Sequence, residues 1–97
     1  MMHKKRIEWF KTIFNNKIDK YPDIRYISES ESDLGALEGL EFNSNIKGGY
    51  IYFWSSCYIG FQIVDYVNGE EIVKDTLLEV SSEQSLDEVL SVFIKNI

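Results

Sequence analysis

The chain has 97 residues, with 10 Lys+Arg against 16 Asp+Glu, a net charge of −6 and a pI near 4.7, which allows one domain over 1–97. Hydrophobic residues at 44% and aromatics at 14% supply a packed core and exclude global disorder. No apolar stretch approaches the ~20 residues of a membrane span. The single Cys57 excludes an internal disulfide framework and fits a reducing, cytoplasmic compartment. The opening stretch, MMHKKRIEWFKTIF, lacks the apolar region and cleavage site of a signal peptide.

In chain order, residues 3–20 read as an amphipathic helix. Ile7, Phe10, Phe14 and Ile18 fall on one stripe, which Tyr21 extends, with Trp9 and Ile13 on its flank. Pro22 ends it. Residues 24–30 alternate as a short strand, 30–35 read as a polar loop, and 36–43 read as strand with a bend at Gly39. Turn residues fill Asn43–Gly49. Residues 50–56 and 58–67 are dense in aromatic and β-branched side chains and are the strongest strand signals, separated by a turn or bulge at Ser55–Cys57. Asn68-Gly69 predicts a tight type I′ hairpin into a strand over 70–80 that breaks near Asp75. Leu86, Val89, Leu90, Phe93, Ile94 and Ile97 repeat at helical spacing, with Ser85 and Glu88 placed for a capping box. The expected fold is a two-layer α+β domain. An antiparallel sheet of four or five strands carries an N-terminal and a C-terminal helix on one face.

Charge is unevenly distributed. Residues 1–25 hold seven bases and three acids, whereas 26–97 hold three bases and thirteen acids, a local −10. Such a surface repels nucleic-acid phosphates and favours basic protein partners. Lys4-Lys5-Arg6 reads as a solvated helix end rather than a nucleic-acid contact.

Alternation divides the strands into two faces. Ile51, Phe53, Ile59, Phe61 and Ile63 form an apolar set that belongs under the helices. Tyr50, Tyr52, Trp54, Tyr58 and Tyr66, with Gln62 and Val64, form the other. Tyr and Trp are enriched at protein interfaces, although cross-strand packing or cover from residues 28–45 would account for them equally well.

Catalytic chemistry finds little support. The only histidine, His3, falls in a terminus expected to fray, and Cys57 reads as a small buried hydrophobe. One Cys and one His do not make a zinc site, and the acidic run Glu29-Ser30-Glu31-Ser32-Asp33 lacks an EF-hand pattern. The sequence therefore calls for no enzyme, no cofactor and no metal.

The segment 48–80, GGYIYFWSSCYIGFQIVDYVNGEEIVKDTLLEV, resembles the central sheet of small bacterial immunity proteins of contact-dependent growth inhibition. The nearest likeness is to the TriTu-type group, through Gly49, Tyr50, Trp54, Gly60, Phe61, Val64-Asp65 and Asn68-Gly69. The resemblance spans about a third of the chain. It implies a cytoplasmic protein that neutralises a cognate basic toxin domain, an RNA-cleaving tRNA nuclease, by binding it. Elongation factor Tu would be an indirect partner through the toxin. The charge and composition lead to an expectation of no direct nucleic-acid or membrane contact, and the expected state is a monomer or weak homodimer. The expected partner-binding residues are Glu29, Glu31, Asp33 and Glu38 with Tyr50, Tyr52, Trp54, Tyr58 and Tyr66. The alternative is a structural or adaptor domain that self-associates through its aromatic face.

Overall fold

The helical stripe and the odd-numbered residues of the two aromatic strands need a common shelter from water, and the fold provides one. A computed structural model describes residues 2–80 and 86–97. Helix α1 (Met2–Phe14) and a 3-10 turn (Ile18–Lys20) precede strands β1 (Asp23–Glu29), β2 (Leu37–Asn43), β3 (Lys47–Trp54), β4 (Tyr58–Asp65) and β5 (Glu70–Glu79). The short helices α2 (Leu86–Val89) and α3 (Ser91–Asn96) follow. The strands form one meander in the order β1-β2-β3-β4-β5, every neighbour antiparallel. The expected α+β architecture is the observed one.

Both helical segments lie on one face of the sheet. Phe10 and Phe14 of α1 meet Phe53 and Phe42 at ring separations of 6.4 and 5.4 Å, and Phe93 of α3 meets Phe42 and Phe61 at 6.1 and 5.4 Å. Ile51, Ile59 and Ile63 complete a core sealed from water. Trp9 and Ile18 pack against its margin.

Several local expectations change. The first helix stops at Phe14, six residues short of the predicted end. Asn15 and Asn16 are poor helix formers, and i→i+3 bonds from Asn16 to Ile13 and from Lys17 to Phe14 tighten the chain there. The C-terminal helix is divided at Leu90, whose φ of −100° and ψ of 10° interrupt it. The proposed cap residue Ser85 lies outside the described residues. Asn68-Gly69 does not form a two-residue turn, since Asp65 pairs with Glu70 and four residues intervene. Gly69 alone takes a positive φ, +70°, and its N–H donates to the Asp65 carbonyl at 2.9 Å. The Asp65 carboxylate accepts from the N–H groups of Val67 and Asn68, which draws the wider loop closed. The break near Asp75 is present as a bulge: Phe61 faces Thr76, but Ile63 faces Val73.

Two polar residues of α1 are buried. Arg6 is not solvated; its guanidinium donates to the Val80 carbonyl at 2.7 Å. His3 is 1% exposed, held inside α1 rather than in a frayed end. Cys57 is half-buried and occupies the β3–β4 turn with φ of +71°, so it is not a core residue. Among the described residues no helix is long and apolar enough to cross a membrane.

Candidate functional site

Because β3 is the middle strand, its even-numbered side chains stand at the centre of the face that, among the described residues, carries no helix. Tyr50 and Tyr52 have ring centroids 4.7 Å apart, and Tyr52 meets Trp54 edge to face at 5.7 Å and 84°. The three rings form a continuous, half-buried aromatic row.

Glycines on the flanking strands let these rings lie down on the sheet. Gly39 of β2 faces Tyr52, and a Cβ there would stand 2.6 Å from the Ile51 carbonyl oxygen and 2.5 Å from the Tyr52 ring. Gly60 of β4 lies beneath Trp54, where a Cβ would meet the indole at 3.1 and 3.2 Å. Residues 28–45 do not fold over the aromatics. They supply β2 and the last two residues of β1, which widen the same face.

The polar tips are tied to carboxylates. Tyr52 donates its hydroxyl to Glu41, and Tyr50 donates to Asp75. Desolvation first, then the donated hydrogen bond and the neighbouring negative charge, push both phenols well above the ordinary tyrosine range. Both rings therefore stay neutral and act as donors. Gln62 donates to Glu71 at 2.7 Å, and the Arg25 guanidinium lies 3.6 Å from the Glu41 carboxylate. By strand register the same face carries Glu29 and Glu79. Two carboxylates, Glu41 and Asp75, thus hold the aromatic row directly, Glu71 meets Gln62, and Asp23, Glu29 and Glu79 share the face by register, with Arg25 as its one guanidinium.

The structure gathers most of the expected residues and separates one. Tyr58 lies on this face opposite Glu79. Tyr66 sits just beyond β4, not within a strand; it reaches over Gly48 and donates to the Asn43 side chain. Glu29 is exposed at the end of β1, and Glu31 and Asp33 are exposed in the β1–β2 connection. That connection ends against β3, where Ala36 N–H donates to the Ser55 hydroxyl and Ser55 N–H to the Ala36 carbonyl. The three acids therefore lie toward the end of the sheet at which the row ends in Trp54. Glu38 does not join them. It shares the parity of Leu40 and Phe42, faces the helix side, and accepts a hydrogen bond from Ser28.

Glu41, Asp75, Glu71 and Arg25 belong to the site without having been singled out from the sequence. Glu41 was readable, since it alternates with the core residues Leu40 and Phe42. Asp75 was not, because only the β5 bulge brings it to Tyr50. Among the described residues no three His, Cys, Asp or Glu side chains gather as a metal site requires. Comparison with family models, with curated proteins and with solved structures finds no match for this chain.

Proposed function

We propose that the chain is a non-enzymatic, cytoplasmic immunity protein that binds and neutralises a basic toxin domain of the tRNA-cleaving kind. The open sheet face is its binding surface. The observation that carries this reading is the aromatic row Tyr50-Tyr52-Trp54, unroofed by any helix among the described residues and held by Glu41 and Asp75 on a face rich in carboxylates. A toxin groove shaped for phosphates is basic, and carboxylates can occupy it in their place. Complementary charge speeds capture, while desolvated aromatic anchors slow release. The same charges argue against the face pairing with itself, since two copies stacked face to face would oppose carboxylates with carboxylates.

Co-purification of the tagged chain with the product of the neighbouring gene, followed by titration calorimetry, tests the proposal. The expected result is a stoichiometric basic partner, toxic when expressed alone. Trp54→Ala should weaken its binding about thirtyfold or more. Combined reversal of Glu29, Glu31 and Asp33 should weaken it further and flatten its salt dependence. A partner bound equally well by both variants would remove the open face from the mechanism. No partner at all would remove the inhibitor reading.

A further inference from the structure

The two edges of the sheet are finished differently. On β5, two register shifts disturb the edge. Asp75 N–H there is taken by the Glu71 carboxylate, and the Lys74 carbonyl accepts from the Thr76 hydroxyl. These two groups are satisfied within the strand, and the register shifts leave no regular ladder along it for another chain. On β1, the register runs unbroken from Asp23↔Asn43 to Glu29↔Leu37. Among the described residues no backbone hydrogen bond reaches its outer edge. Alternate residues of this seven-residue regular strand therefore present unpaired N–H and C=O groups to an incoming strand.

We propose that this edge pairs with the β1 edge of a second copy, antiparallel and centred on Ile27, to give a continuous ten-stranded sheet. Charge and ladder length together select that register, since axes at Ile24 or Ser28 leave only three residues of β1 paired and the Ile27 axis pairs five. With the two-fold axis at Ile27, Arg25 faces Glu29 of the second copy on both sides of the axis, and Ile27 meets its own counterpart. An axis at Tyr26 would set Asp23 against Glu29, and one at Arg25 would set the two guanidinium groups together. Both place like charges opposite each other, which destabilises a ladder. The Arg25 side chain is 70% exposed and free to turn outward. An axis perpendicular to the sheet keeps both helical layers on one side, so the two aromatic rows would share one extended surface. This pairing uses the strand edge rather than the aromatic row, although its charged pair, Arg25 and Glu29, also borders the open face. A single strand pair buries less than a standard interface, so the dimer should be weak and concentration-dependent.

Sedimentation velocity across a concentration series provides the test. The wild-type chain should shift from monomer to dimer, Arg25→Glu should weaken the dimer about tenfold, and Arg25→Glu combined with Glu29→Arg should recover it. Circular dichroism checks that each variant is folded. As a second measurement, Ile27→Cys in a Cys57→Ser background should form a disulfide dimer on mild oxidation, since residues facing each other across the axis have adjacent Cβ atoms. A wild-type chain that stays monomeric at the highest concentration overturns the proposal. So does failure of the charge-swapped pair to recover the dimer, or failure of the cysteine variant to cross-link. A dimer lost in Trp54→Ala but kept in Arg25→Glu would place self-association on the aromatic face and also overturn it.

Discussion

On the helix side of the sheet, Phe10, Phe14, Phe42, Phe53 and Phe93 are sealed from water and carry no polar atom. On the other side, Tyr50, Tyr52 and Trp54 are half-buried; Tyr52 and Trp54 lie over glycines, and Tyr50 and Tyr52 hold carboxylates at their tips. Both faces are aromatic, so hydrophobicity alone does not distinguish them. What differs is the neighbour. Phenyl rings facing helices gain from interdigitation with other apolar groups. Phenol and indole rings facing water cover the backbone with their flat sides and keep a polar edge available. One face stabilises the fold, and the other is left able to bind.

The sharpest test of that division is truncation. Phe42→Ala should cost about 3–5 kcal/mol in chemical denaturation, because it opens a cavity between both helices and the sheet. Trp54→Ala should cost clearly less while abolishing more of the partner binding; equal stability losses would break the comparison. Next in size is a pair of glycine substitutions beneath the open-face rings. Gly39→Ala brings a methyl against the Ile51 carbonyl and should destabilise by about 1–3 kcal/mol, whereas Gly60→Ala meets only the rim of a movable indole and should cost under about 1 kcal/mol.

One substitution should change sign between the faces. Tyr52→Phe removes a hydroxyl that is bonded to Glu41 and should lower stability by about 0.5–1 kcal/mol. Tyr21→Phe removes a buried hydroxyl that has no hydrogen-bond partner among the described residues, so stability should hold or rise by about 1 kcal/mol. A loss at Tyr21 would show that its hydroxyl is satisfied.

The smallest effect concerns His3. Its pKa is lowered from 6.5, first by desolvation and then by Lys4, against the opposing pull of Glu38. The unfolded chain therefore binds this proton more readily than the folded one. Stability from this site is complete above about pH 6.5 and declines as pH falls through that value. Thermal melts of His3→Gln between pH 7.5 and about pH 5 should show a shallower decline than the wild type. Parallel curves would assign the acid sensitivity to other groups.

Much of this was legible along the chain. Strand parity placed Ile51, Phe53, Ile59, Phe61 and Ile63 in the core and Tyr50, Tyr52 and Trp54 opposite them, because alternation is a property of the extended backbone itself. Helical spacing placed Phe10 and Phe14 for the same reason. The acidic segment was legible only as composition. Glu29, Glu31 and Asp33 lie near the aromatic row, while Glu38 turns to the helix side, as its own alternation with Leu40 and Phe42 implied. Arg6 and His3 looked solvated because neither the Val80 carbonyl nor the cover over α1 lies near them in sequence.

The sequence by itself therefore determined the succession of helix, antiparallel strands and helix, and the side of the sheet on which the residues of the two aromatic strands stand. These follow from local periodicity and turn chemistry. The tertiary structure decided which carboxylates hold the tyrosines, which edge of the sheet is left regular and which α1 side chains are enclosed. Those outcomes join residues separated by 11 positions at Tyr52 and Glu41, 25 at Tyr50 and Asp75, and 74 at Arg6 and Val80. A β-bulge that shifts one register, or a helix that settles on one face, fixes such pairs, and neither leaves a periodic trace in the chain.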